Sequence, residues 1–420
     1  MPKQRYVILR ARPDQGTTDI ASGTKSQFPE RAPAFWVDSG ELTRAEVRML
    51  AGETDVIAVA PVMPARVVAP VRPRDRRAAT RQRKPGRRLP SRGAGAKGLT
   101  RDSWGIAEIG ADLSTVGGAG VRVAVLDTGI DANHKAFGGV KNWSQRNFTL
   151  EAGMQDTSGH GTACAATIFG QDVHGARIGV ARDVRDVSIG KICRNDAHHS
   201  TDTELIFKGL EWAALDEGVQ VISMSVAVDF TKKVEDLVVD QHLPRRQAVS
   251  LALEAYRATV RMFDALMDTI RARIPYDGGA VVVAAAGNDS TLDFKVGTGI
   301  PGAADGILSV GALQEAPGDT DGPRIVPFYS NTFVTLVAPG ERIKTARSGG
   351  NLTVASGTSL AAPHVAGAAA LWWQYLRESG GPADSRSVVG RLLESATSAN
   401  IAVSTPAEDR GAGVVRAPPA

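Results

Sequence analysis

Gly357-Thr358-Ser359-Leu360-Ala361-Ala362-Pro363-His364-Val365-Ala366-Gly367 is the stretch whose reading decides this chain. The small residues before Ser359 let the backbone turn sharply. The Ala-rich run after it, ending in Leu371-Trp372-Trp373, predicts a buried helix. A serine at the start of such a helix has free backbone N–H groups beside it, which is where acyl-transfer chemistry places a nucleophile. Serine is also a common helix N-cap, so this stretch alone leaves both readings open.

Two upstream stretches separate them. Val123-Ala124-Val125-Leu126-Asp127-Thr128-Gly129-Ile130-Asp131 predicts an apolar strand that ends in a carboxylate. Ser158-Gly159-His160-Gly161-Thr162-Ala163-Cys164-Ala165-Ala166 puts a histidine among glycines at the start of a small-residue helix. The chain order is Asp, His, Ser. These three contexts together resemble the subtilisin-like serine peptidases, whose triad runs in that order. The resemblance extends through nearly all of residues 102–418.

The resemblance implies an α/β fold of three layers with a central, mostly parallel sheet. It implies that Ser359 is the nucleophile, that His160 is the general base and then the general acid, and that Asp127 orients the imidazole. Ala280 to Asn288 is a buried strand ending in Gly287-Asn288. By the resemblance the Asn288 amide and the Ser359 N–H form the oxyanion site; the residues alone also allow a turn-forming Asn. Val219 to Ala227 predicts one strand. Its end, Ser225-Val226-Ala227, stands where relatives commonly carry Ser-Leu-Gly and pair with extended substrate, and Ala286 and Gly287 complete the expected substrate-binding set. Asp289 and Asp293 follow, either favouring a basic side chain beside the cut or standing as solvated loop charges. No cofactor and no site metal are expected. The loop from Gln171 to Arg177 carries one carboxylate, Asp172, so the tight calcium site of many secreted relatives is not expected there; weak structural calcium elsewhere stays open.

The whole chain is compatible with this. It has 420 residues, 43% of them apolar and 22% charged, as in an ordinary soluble globular protein. No apolar run reaches the ~18 residues of a membrane span. The run before Arg10 is shorter than a signal-peptide core of about 7–15 residues, so the expected location is cytoplasmic, with export by another route left open. Cys164 and Cys193 do not form a disulfide framework, and Cys164 reads as a small buried side chain. Residues 72–101 hold twelve Lys/Arg and one Asp, or +11, so the rest of the chain carries −7 against a total of +4. The basic balance therefore says nothing for nucleic-acid binding by the folded body.

Upstream of the body, residues 1–70 read as a small α+β domain. Strands are expected at Tyr6–Arg10, Phe35–Val37 and Val56–Val59, and a capping box, Thr43-Arg44-Ala45-Glu46, opens a short helix. Its position resembles the family's inhibitory propeptide, whose tail lies in the substrate cleft; here that tail is about Val62 to Pro70. Residues 71–101 read as a basic, disordered linker and processing region with candidate cut sites at Arg76-Arg77, Lys84 and Arg87-Arg88. It lacks interleaved aromatics, which argues against nucleic acid as its partner. Within the body, about 229–277 reads as a helical insertion. Val249, Leu253, Tyr256, Val260, Phe263, Met267, Ile270 and Ile274 form one apolar stripe, expected to pack on its own domain or to serve as a partner or dimer seam.

The expected function is a serine endopeptidase made as a self-processed zymogen. Its partners are peptide or protein substrates and its own N-terminal domain as inhibitor, with no membrane partner. The rivals are a transpeptidase or macrocyclase using the same acyl-enzyme, and a latent binding protein whose N-terminal domain stays docked.

Overall fold

The computed structural model describes residues 3–12, 32–71, 102–316 and 322–420. The basic run at 72–101, with its candidate cut sites, lies outside the described residues. At the N-terminal end, β1 (Gln4–Ala11), β2 (Phe35–Leu42), α1 (Arg44–Leu50) and β3 (Val56–Pro61) form an antiparallel sheet, order β2-β1-β3, with one helix. Thr43 and Glu46 close a reciprocal capping box on α1. The inward side chains of this unit, Val7, Leu9, Phe35 and Val37, share one core with Phe207 and Phe263 of the body. The unit therefore buries its apolar face against the rest of the chain.

β4 (Pro64–Val67) leaves this unit and crosses to the body. After a short helical turn at Trp104–Glu108, the body runs through β5 (Arg122–Asp127), β6 (Asn142–Asn147), α2 (His160–Phe169), β7 (Asp186–Lys191), β8 (Ser200–Asp202) and α3 (Thr203–Glu211). It continues with β9 (Val221–Met224), β10 (Val226–Val228), α4 (Phe230–Val239), α5 (Arg245–Ala272), β11 (Val281–Ala285), β12 (Ile307–Leu313), β13 (Leu336–Pro339) and α6 (Thr358–Glu378). Seven strands make the central sheet in the order β13-β12-β11-β9-β5-β7-β6, and every pairing in it is parallel.

Side-chain alternation along these strands builds the three layers. Val123, Val125, Val281, Val283 and Ala285 enter one core with α2 and α6. Ala124, Leu126, Val282 and Ala284 enter the other with α3 and α5. A strand buried on both faces must be apolar at every position, which is what these runs are. β5 has β7 on one side and β9 on the other, so its C-terminal end, carrying Asp127, lies at a reversal of strand order, where α/β sheets place their clefts.

Two expectations change. The run Val219 to Ala227 is not one strand. β9 stays in the central sheet, and after Ser225 the chain turns into β10, which belongs to a different sheet. The α5 stripe is also not a single face. Phe263, Met267 and Ile270 are buried, but Val249 and Leu253 are 39% and 49% exposed, and Ala248, Ala252, Ala255 and Thr259 face inward instead. Small side chains allow the closest approach, so the alanine edge packs against Val234 and Leu237 of α4.

Candidate active site

Asp127 and His160 meet at the C-terminal edge of the sheet, and Ser359 opens α6 beside them, its carbonyl 3.3 Å from Cys164 Sγ, which lies 3.8 Å from His160 Nδ1. Asp127 is 1% exposed, and its Oδ1 accepts from Thr128 N at 2.7 Å and lies 2.7 Å from His160 Nδ1. That contact leaves Nε2 as the ring atom facing the cleft. His160 opens α2 after Gly159, which takes the left-handed conformation (φ 79°) that favours glycine. His160 Nε2 and Ser359 Oγ are both buried, and neither has a hydrogen-bond partner among the described residues. Burial alone would lower the His160 pKa; the Asp127 carboxylate, with a smaller contribution from Cys164, outweighs it and holds the value well above 6.5.

Pro363 explains how Ser359 is tied in. It stands inside α6 and has no N–H, so the carbonyl of Ser359, four residues earlier, lacks its helical partner. That carbonyl instead accepts from Ser225 Oγ at 3.2 Å and Cys164 Sγ at 3.3 Å. Ser225 and Cys164 of α2 are thereby fastened to the serine turn. Gly357 leaves room beside it: a Cβ there would stand 2.9 Å from Asn288 Nδ2 and 3.0 Å from Ser359 Oγ.

Asn288 is aimed by Thr358. Its Oδ1 accepts from both Thr358 N and Thr358 Oγ1 at 2.9 Å, which fixes the amide so that Nδ2 points into the cleft. There Nδ2 donates to the carbonyl of Ala69 at 2.9 Å. The cleft is thus occupied by the chain's own segment. β4 lies antiparallel between β10 and β8, with Val67, Arg66 and Ala65 opposite Val226, Ala227 and Val228. Val68 N donates to Ser225 O at 2.8 Å, and Val71 N to Ser356 O at 2.7 Å. Ala65, Val67 and Val68 are buried there.

Ser225, Val226 and Ala227 therefore stand along a bound strand. Ala286 and Gly287 do not bond it. Ala286 N goes to Val310 O, its carbonyl accepts from Thr298 and Asn331, and Gly287 N goes to Thr358 Oγ1. Their backbone groups are engaged elsewhere, and Ala286 is fully buried. Asp289 binds the guanidinium of Arg66 at 2.6 Å, while Asp293 is exposed.

Sequence reading missed Asp156. This carboxylate is fully buried and accepts four hydrogen bonds: from Thr128 Oγ1 and Gly159 N at 2.8 Å on Oδ1, and from Thr162 N at 2.8 Å and Thr162 Oγ1 at 2.7 Å on Oδ2. It joins the residue after Asp127 to the turn that carries His160. An aspartate four residues before the histidine was its only sequence signal. Asp156→Ala leaves those donors buried without acceptors and is expected to cost about 3 kcal/mol, read as a lowered denaturant midpoint. A midpoint unchanged within error would remove Asp156 from the framework.

Among the described residues, one group of three His, Cys, Asp or Glu side chains brings its ligand atoms within 4.8 Å of one another: Asp127, His160 and Cys164. Asp127 holds His160 Nδ1, and Cys164 Sγ lies 3.8 Å from that same ring nitrogen. No described helix is long and apolar enough to cross a membrane.

The model of the "Subtilase family" matches residues 118–413. "Intracellular serine protease" of Paenibacillus polymyxa is 33% identical over 265 residues, covering 60% of this chain and 67% of that protein. "Subtilisin-like protease 6" of Arthroderma benhamiae is 29% identical over 319 residues, covering 73% of this chain and 65% of its own length. "Subtilisin-like protease 7" of Arthroderma otae is 30% identical over 295 residues, covering 67% and 60%. The chain thus spans 65% and 60% of the length of these two fungal relatives. With the family model matched across the parallel sheet and the start of α6, the chain belongs to the subtilase family.

Proposed function

We propose that this chain is a serine endopeptidase, held latent by its own N-terminal unit. The observation that carries the reading is an extended segment lying across the serine turn with a backbone carbonyl on the Asn288 amide. In the reaction, Ser359 Oγ attacks the substrate carbonyl carbon while His160 Nε2 takes the hydroxyl proton. Asn288 Nδ2–H and the Ser359 N–H hold the resulting oxyanion. The C–N bond then breaks, and His160 returns its proton to the leaving amine. Water, deprotonated by His160, releases the acyl group and restores Ser359. Asp127 keeps the imidazole oriented and balances its charge.

The Pro64–Val71 segment acts as the inhibitor. It takes the strand edge that substrate needs, and its tether gives it a high effective concentration there. Cuts between Val62 and Arg101 release it.

His160 must be neutral to accept the proton. Its raised pKa therefore places the acid limb of kcat/KM above the ordinary imidazole value of 6.5, with activity rising as pH passes through that limb. The check is the pH dependence of peptide hydrolysis by the full chain. Activity already at its plateau below pH 6.5 would contradict the assignment of His160 as base. Hydrolysis is separated from transpeptidation by product mass: hydrolysis yields two fragments that together gain one water.

A further inference from the structure

One side chain of the docked strand is held by charge. Arg66 lies opposite Ala227, two residues before Val68, whose N–H reaches Ser225. Its guanidinium spans two carboxylates from different loops: Nε donates to Asp229 Oδ2 at 3.2 Å and Nη2 to Asp289 Oδ1 at 2.6 Å.

Both acids are aimed independently of Arg66. Asp229 caps α4, and its Oδ1 accepts from Lys232 N at 2.9 Å and Thr231 Oγ1 at 2.7 Å, which leaves Oδ2 for the cleft. Asp289 N donates to Asn331 Oδ1 at 2.9 Å, and Asp289 Oδ2 accepts from Asn331 Nδ2 at 3.4 Å, which leaves Oδ1. Each carboxylate spends one oxygen on its own loop and presents the other. Two acceptors set apart in this way suit the rigid fork of a guanidinium better than the point charge of an ammonium. The neighbours Ala65, Val67 and Val68 sit in small apolar sites, so only this position of the strand is read by charge.

We propose that Asp229 and Asp289 form a subsite that selects arginine in peptide substrates, at the position two residues before the one that donates to the Ser225 carbonyl. This rests on reading the cleft as that of a peptidase, and it names the substrate class: extended peptides with one arginine among small apolar residues. Asp289 thus serves the Arg66 position and not the buried Val68 position. Arg66 is 39% exposed at its side chain, so solvent screens the pair and the expected discrimination is about tenfold.

The test uses the full chain carrying Ser359→Ala, with Arg66→Ala and Val68→Asp to weaken its own strand. A fluorescein-labelled peptide with the sequence of Pro64–Pro70 is titrated in, alongside versions with Lys, Ala or Glu in place of the arginine. The arginine peptide is expected to bind about tenfold tighter than the alanine one, with lysine between and glutamate weakest. Asp229→Asn with Asp289→Asn brings the ratio of the arginine to the alanine peptide near one. Equal binding of these two peptides, or a preference that survives both substitutions, overturns the subsite. Hydrogen exchange in the Ser359→Ala chain gives a second reading without added peptide. Exchange at residues 64–67 should quicken with Arg66→Ala and with the paired Asp→Asn change, and combining them should add nothing; additive effects overturn the proposal. Hydrolysis of an unrelated peptide substrate, in versions with and without arginine at that position, by the chain with Ser359 intact separates the two readings. Cleavage without arginine preference removes the subsite and leaves the peptidase. Selective binding by a chain that hydrolyses neither version removes the peptidase and leaves the subsite.

Discussion

Replacing Ser359 by alanine is expected to lower peptide hydrolysis by about 10⁶-fold, the size of such losses in subtilisin itself. Ser359 Oγ is buried and makes no hydrogen bond among the described residues, so its removal breaks no framework contact there. The carbonyl of Ser359, which ties the turn to Ser225 and Cys164, is untouched by the change. The variant should therefore fold as the wild type does and lose chemistry alone. What activity remains comes from binding and from the Asn288 amide, which stays pinned by Thr358. The measurement is kcat on a peptide substrate beside the unfolding midpoint. A loss below tenfold at unchanged stability would remove Ser359 as the nucleophile.

Asp127→Asn is expected to cost about 10⁴-fold. The Asp127 oxygen that faces His160 Nδ1 also accepts from Thr128 N, so the native site offers the ring an acceptor and a full negative charge. An amide keeps the shape and removes the charge that stabilises the imidazolium. Turned about, its NH₂ would donate to Nδ1 and force the proton onto Nε2, the tautomer that cannot take a proton from Ser359. The same substitution removes the main influence that raises the His160 pKa, so the acid limb of the profile should move down. A variant that keeps wild-type kcat, or whose acid limb does not move, would contradict the role given to Asp127.

The sheet and the places of Asp127, His160 and Ser359 at its edge were legible because each leaves a local mark. Residues 281–285 are apolar at every position, as a strand covered on both faces must be. Asp127, His160 and Ser359 each lie where a strand ends or a helix begins, and each has a glycine within two residues. What was not legible depends on partners far along the chain. The run through Ser225 contains no glycine or proline to mark a break, and the break shows only where β10 leaves the central sheet to pair with β4. Arg66 and Asp289 are 223 positions apart, and no periodicity links them. The α5 stripe was misread for a different reason. Counting large apolar residues gave weight to Val249 and Leu253, whereas close packing selected Ala248 and Ala252. Asp156 was overlooked because a single aspartate in a loop has no pattern until its four donors are seen together.

The most direct test of the account is mass spectrometry of the full chain and of its Ser359→Ala variant, each incubated with a peptide substrate and sampled fresh and after incubation. The account predicts that the wild type shortens the peptide and loses its own N-terminal segment by a cut between Val62 and Arg101. It predicts that Ser359→Ala keeps all 420 residues and leaves the peptide whole. A Ser359→Ala chain that shortens as the wild type does, or a folded wild type that leaves both itself and the peptide uncut, would contradict it.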